Sequence, residues 1–224
     1  MNIAEIWRYP VKTMAGERLS RARIGPLGIA GDRVVHVEDA RGRVVTSRSH
    51  PRLLGHRGAL DATGLVTVDG RPWDRPDVAA DVVDIAGAGA RLVRDDGPER
   101  FDVLPLLVAT DGSIAAFGHD ARRLRPNIVV GGVEGLGERE WPGSCLGVGS
   151  VLIGVQDLRA RCVMTSYDPD TQVQDKSITR GIYDRFEGKL ALNCFVIQGG
   201  EIAVGDPVQL VRGRACAATV DDFA

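Results

Sequence analysis

The chain has 224 residues, 44% of them hydrophobic, enough to bury a sizeable core in one large domain or two small ones. Its 28 basic and 30 acidic residues are interleaved to a formal net charge of −2, which gives no reason to expect nucleic acid. No run of about 18 apolar residues offers a membrane span. Aromatics are only 5% and glycines number 28, so the short Val/Ile/Leu runs bounded by Gly, Pro and Asp predict many short strands and tight turns.

The expected fold class is therefore mainly β, a β-barrel with a few short helices. The opening MNIAEIWRYP lacks the basic, apolar and cleavage-site succession of a leader, so a cytoplasmic protein is expected. The four cysteines, Cys145, Cys162, Cys194 and Cys216, form no CxxC pair and no Cys/His zinc spacing. They are expected to be reduced thiols.

In chain order, Ile3 to Trp7 reads as a strand stopped by Pro10, and Val11 to Gly16 as a loop. Arg21 to Ile24 resumes a strand, and Gly25 to Arg33 supplies glycines and a proline for sharp reversals. Val34 to Glu38 and Val44 to Ser47 predict a hairpin around Asp39 to Gly42. Residues 51–64 have no clean period. Leu65 to Gly70 predicts a strand and turn, Asp81 to Ile85 a strand, and Arg91 to Arg94 another. The Gly/Asp/Pro-rich zone that follows is the best candidate domain boundary.

Leu106 to Ala109 reads as a buried strand. Asp111, Gly112 and Ser113 cap a predicted helix carrying Ile114, Phe117, Ala121 and Leu124, which ends near Arg125-Pro126. Asn127 to Val130, Val148 to Val155 and Leu158 to Thr165 are predicted strands. Asp168-Pro169-Asp170-Thr171 is a turn with a mechanism, since Asp168 accepts from the backbone ahead and Pro169 presets the first dihedral. Asp175 caps a helix on which Ile178, Ile182 and Phe186 recur at fourfold spacing, and Cys194 to Gln198 and Asp206 to Val211 are the closing strands.

Five segments carry a resemblance. YPVKTMAGERL from Tyr9 and GPLGIAGDR from Gly25 are similar to the N-terminal β-barrel region of the MOSC family, named for the C-terminal domain of molybdenum cofactor sulfurases. RLRPNIVV from Arg123, ARCVMTSYDPDTQ from Ala160 and EIAVGDPVQL from Glu201 are similar to the MOSC domain proper. Any one alone is weak; five in order are specific. The chain so resembles the family nearly end to end, with residues 1–88 expected as the N-terminal region, 89–213 as the MOSC domain and 214–224 as a loose tail.

The resemblance implies a molybdenum cofactor, a molybdopterin carrying molybdenum, with Cys162 as the catalytic thiolate and metal ligand. A thiolate is a soft ligand suited to such a metal. It assigns further cofactor contacts to Lys12, Thr13 and Arg33, to Arg125 and Asn127 of the RPN motif, to Thr110, Asp111 and Ser113 at the predicted helix start, and to Arg161. Read singly, Lys12 is a solvated cation, Arg33 a surface charge, Asn127 a turn amide, and Thr110 to Ser113 a plain helix cap. If residues 158–165 form a regular strand, Arg161 points away from Cys162. No zinc, haem or iron–sulfur centre is expected in this chain.

The implied activity is reduction of N-hydroxylated or related N- or S-oxygenated small molecules, with electrons from an external ferredoxin-, flavin- or haem-type reductase. Leu192-Asn193-Cys194-Phe195 departs from the Gly-x-Tyr-like pattern of the reducing branch. Two alternatives stand beside it: a sulfur carrier using a Cys162 persulfide, and a non-catalytic cofactor binding or storage module.

Overall fold

The computed structural model describes residues 1–213 and Cys216. The tail expected over 214–224 lies, apart from Cys216, outside the described residues. Among the described residues the fold is mainly β with three short α-helices. Eight strands form the largest sheet, in the order Gln209–Val211, Cys145–Val148, Val151–Ala160, Lys189–Gln198, Leu106–Thr110, Ile128–Gly131, Asn2–Arg8 and Glu17–Leu19. Strands from both ends of the chain thus share one sheet.

All its pairings are antiparallel except that of Leu106–Thr110 with Ile128–Gly131, where Val108 faces Ile128 in parallel register. Parallel neighbours need a crossover, and the helix that follows Thr110 supplies it. Buried Ile3, Ile6, Leu106, Ile128, Ile153 and Leu192 of this sheet pack with Ala22, Ile24, Ile29 and Ile202 of a three-stranded sheet. A second core, centred on Val35, Val37, Leu53, Val66 and Val68, lies between two further three-stranded sheets in the N-terminal half. Among the described residues no helix is long and apolar enough to cross a membrane.

Three elements depart from expectation. Asp81 to Ile85, expected as a strand, belongs to helix α1, Pro76–Ala86. Its Val and Ile content suggests β structure, but Pro76 presets the first helical turn, and Val78 and Val82 are buried one turn apart. The helix expected from Asp111 to Arg125 stops early: α2 is Asp111–Phe117, ended by Gly118 at φ 74°, with a separate 3₁₀ turn at Ala121–Arg123. The two strands expected at 148–155 and 158–165 are instead one strand, Val151–Ala160, which ends before Cys162.

Helix α3, Lys176–Phe186, follows the reading closely: Asp175 accepts from Ser177 N at 2.9 Å, and Ile178, Ile182 and Phe186 are buried. They form a third core with Phe117, Leu124 and Leu190. The expectation of four reduced thiols is corrected. Cys145 and Cys216 form a disulfide, their Cα atoms 5.4 Å apart, within the range that a bridge spans. A separation of 71 residues hides that pairing from any local pattern.

Candidate functional site

Cys162 sits just beyond the end of the strand Val151–Ala160, where the chain turns into a 3₁₀ turn at Val163–Ser166. Its carbonyl accepts from Thr165 N at 3.1 Å and from the Thr165 hydroxyl at 2.9 Å, which pins the backbone. The half-buried thiol is free. Because the strand ends at Ala160, the pleat no longer sets Arg161 opposite its neighbour, and Arg161 and Cys162 line the same cleft. The condition under which Arg161 would point away, a regular strand over 158–165, is not met.

Seven basic side chains line this cleft, Lys12, Arg33, Arg48, Arg123, Arg125, Arg159 and Arg161, against one acid, Asp102. Lys12 Nζ donates to Arg100 O at 2.9 Å and pairs with Asp102 at 2.9 Å. Arg48 and Arg159 approach the same carboxylate at 3.1 and 3.9 Å. Burial pushes the Asp102 carboxyl upward, but these cations outweigh it and hold the group below the usual carboxylate range. Arg123 pairs with Asp168 at 2.8 Å, and Arg161 donates to Leu124 O at 2.8 Å.

Some of these donors are unmet. Among the described residues, the Nε atoms of Arg123 and Arg161 are buried without a partner. Arg125 stacks over the Tyr9 ring at 4.2 Å, and its guanidinium makes no hydrogen bond or ion pair among the described residues. Burial pulls Arg125 and Arg161 down to about 10, so both stay charged at neutral pH. An anionic ligand in the cleft would meet these cations and offer an acceptor to the uncommitted Arg125 guanidinium.

The backbone tells the same story. Thr13, Arg33 and Arg125 have φ of 78°, 54° and 56°, in the left-handed region that costs a non-glycine residue about 1–3 kcal/mol. Arg33 and Arg125 are held there by one network. Fully buried Asp32 accepts from Tyr9 N at 2.7 Å and from Asn127 Nδ2 at 3.1 Å, and pairs with Arg33. Asn127 Oδ1 accepts from Leu107 N at 3.1 Å and from Arg33 at 3.3 Å. The Tyr9 hydroxyl donates to Pro126 O at 3.1 Å. Loops from the two halves of the chain are thereby fixed against each other.

Six of the expected contacts are brought together: Lys12, Thr13, Arg33, Arg125, Arg161 and Cys162 line one cleft. Thr13 turns its hydroxyl to Ser47. Asn127 lies behind the cleft wall as a buried support. Thr110, Asp111 and Ser113 lie elsewhere, at the start of α2. Thr110 and Ser113 cap that helix reciprocally, and Asp111 accepts from Gly132 N at 2.7 Å and Val133 N at 3.0 Å. A Cβ at Gly112 would lie 2.3 Å from Val133 O, so the chain itself covers this helix start.

Thr110→Ala is accordingly expected to lower unfolding stability by about 1–2 kcal/mol, through loss of the cap. Urea denaturation of the variant beside wild type measures it. A change under about 0.3 kcal/mol would mean that the cap contributes nothing.

Sequence reasoning missed Arg48, Asp102, Arg123 and Arg159. Arg159 had a signal, since it lies two residues from Arg161 and shares its face as the strand runs out; Arg48 and Asp102 come from loops with no local mark. Asp168 and Asp170 behave as the turn predicted: Asp168 accepts from the backbone N–H of Asp170 and Thr171 at 3.1 and 2.9 Å. Cys194 is buried within the strand Lys189–Gln198, where burial pushes its thiol well up, and it does not line the cleft.

The description "MOSC N-terminal beta barrel domain" fits residues 1–102, and "MOSC domain" fits residues 110–209. Human mitochondrial amidoxime-reducing component 1 is 25% identical over an alignment covering 93% of this chain and 82% of that protein. Mitochondrial amidoxime reducing component 2 of Macaca fascicularis is 25% identical, with 78% of this chain and 69% of that protein covered. Among solved structures, the YUAD protein of Bacillus subtilis superposes with a TM-score of 0.49 at 11% identity, over 95% of this chain and 96% of that one.

Proposed function

The chain belongs to the MOSC family, and from that premise we propose that it binds a molybdenum cofactor in the cleft beside Cys162 and acts as an oxidoreductase. The observation that carries this reading is the concentration of cations around a free thiol: seven basic side chains against one acid in the cleft that Cys162 lines, with the Arg125 guanidinium uncommitted to any hydrogen bond or ion pair among the described residues. An anionic pterin phosphate with many hydrogen-bonding edges fits such a donor set. A soft metal fits the thiolate.

When bound, the cofactor supplies the two-electron and oxygen-atom chemistry. The chain's own residues hold and tune it. Cys162, with its carbonyl anchored by Thr165, would present its sulfur to the metal. Lys12, Arg33 and Arg125 would neutralise and orient the anionic group, and the strained backbone of Arg33 and Arg125 keeps those cations placed before anything binds. Leu107, Leu124 and Met164 add apolar wall, which lowers the local dielectric and strengthens those contacts.

The names of the two relatives suggest amidoximes as the substrate class; to that we add, as part of the proposal, other N-hydroxylated small molecules and a separate redox protein as electron donor. Molybdenum and pterin content of protein from a cofactor-producing host, wild type beside Cys162→Ser, tests the reading. Near-stoichiometric molybdenum is expected in wild type and its loss in the variant. Wild type without molybdenum or pterin sinks the proposal, whereas equal molybdenum in both proteins removes Cys162 as ligand.

A further inference from the structure

Tyr9 and Arg125 also line another cleft, of about 420 Å³, within the size range of small-molecule sites. We propose that this cleft, walled by Trp7, Tyr9, Leu54, Arg57, Arg122 and Arg125, is a second binding site, for a small planar anion of the aromatic carboxylate class.

Among the described residues, two of the arginines in this cleft carry no counter-charge. Arg18 is paired with Glu5 at 3.0 Å, and Arg122 with Asp120 and Asp170 at 2.7 Å each. The guanidinium groups of Arg57 and Arg125 have no hydrogen bond or ion pair among the described residues. Two unneutralised guanidinium forks therefore reach one cleft from opposite halves of the chain, the arrangement that takes a carboxylate bidentately. The remaining wall is mostly aromatic and apolar, from Trp7, Tyr9, Leu54 and Pro169, with one acid, Asp170, neutralised by its pairing with Arg122. The Trp7 indole is held in place by its donation to Glu5 at 2.7 Å. Such a wall favours a ring over a hydrated inorganic anion.

Arg125 faces both clefts, but Arg57 lines only this one. Arg125 is thus shared with the molybdenum reading, and Arg57 is the residue whose variant tests this site separately from it. Calorimetric titration of the full-length protein with 1-naphthoate, with neutral 1-naphthamide and with inorganic phosphate is the experiment. Saturable binding of naphthoate to wild type is expected, about tenfold or more weaker for Arg57→Ala, for naphthamide and for phosphate. Arg57 is exposed, so its truncation leaves the core intact. Absence of saturable naphthoate binding, equal binding by Arg57→Ala, or equal affinity for naphthamide overturns the site. Phosphate binding as tightly as naphthoate overturns the ligand class.

Discussion

Replacing Asp32 with alanine is expected to lower the free energy of unfolding by about 3–5 kcal/mol, the range for breaking a buried ion pair from one side. Asp32 is fully buried and serves three partners at once: the Tyr9 amide, the Asn127 side chain and Arg33. Its removal strands the buried Tyr9 amide and leaves the Arg33 guanidinium without its counter-charge, held only by the 3.3 Å contact to Asn127, while Asn127 Nδ2 keeps only Trp7 O at 3.4 Å. Asp32→Asn keeps the volume but replaces one acceptor by a donor, so an intermediate loss is expected. Urea denaturation gives both values, with unchanged denaturant slope indicating that the folded and unfolded states are otherwise alike. A loss below about 1 kcal/mol for alanine would show that the network does not hold the two halves together.

Asp102→Asn is expected to do the opposite of what removing a site residue usually does, raising affinity for inorganic pyrophosphate about tenfold. The reason is that Asp102 already occupies the anion position among Lys12, Arg48 and Arg159. An incoming anion must compete with it, and one charge-assisted contact is equivalent to about a tenfold change in affinity. The pH dependence has a definite sign. With its pKa held below the ordinary 3.8, Asp102 stays ionised through neutral pH, and its competition fades only as the pH falls through the folded value. Titration calorimetry at neutral pH decides the matter: weaker pyrophosphate binding by Asp102→Asn would mean that the carboxylate mainly positions Lys12.

Both predictions concern residues that a reading of local pattern passes over. Asp32 was visible only as a neighbour of Arg33, and Asp102 lies in a loop with no period at all. Helix α3 was legible because its cap and its fourfold apolar spacing are written within a dozen residues. Helix α1 was not, since a Val/Ile run supports strand or helix alike until packing decides which face is buried.

The amino-acid sequence by itself determined the mainly β class, the cap and buried face of α3, the turn at Asp168, and, through five ordered motifs, the family. Only the tertiary structure decided that Arg161 shares the cleft of Cys162, that Thr110, Asp111 and Ser113 lie at a helix start closed by its own chain, and that Cys145 bonds to Cys216. The physical reason is range. Caps, turns and periodicity are settled by contacts a few residues apart. A cleft joining Lys12 to Cys162 depends instead on which strands pair across the whole chain and on one buried carboxylate, Asp32, that ties their loops together.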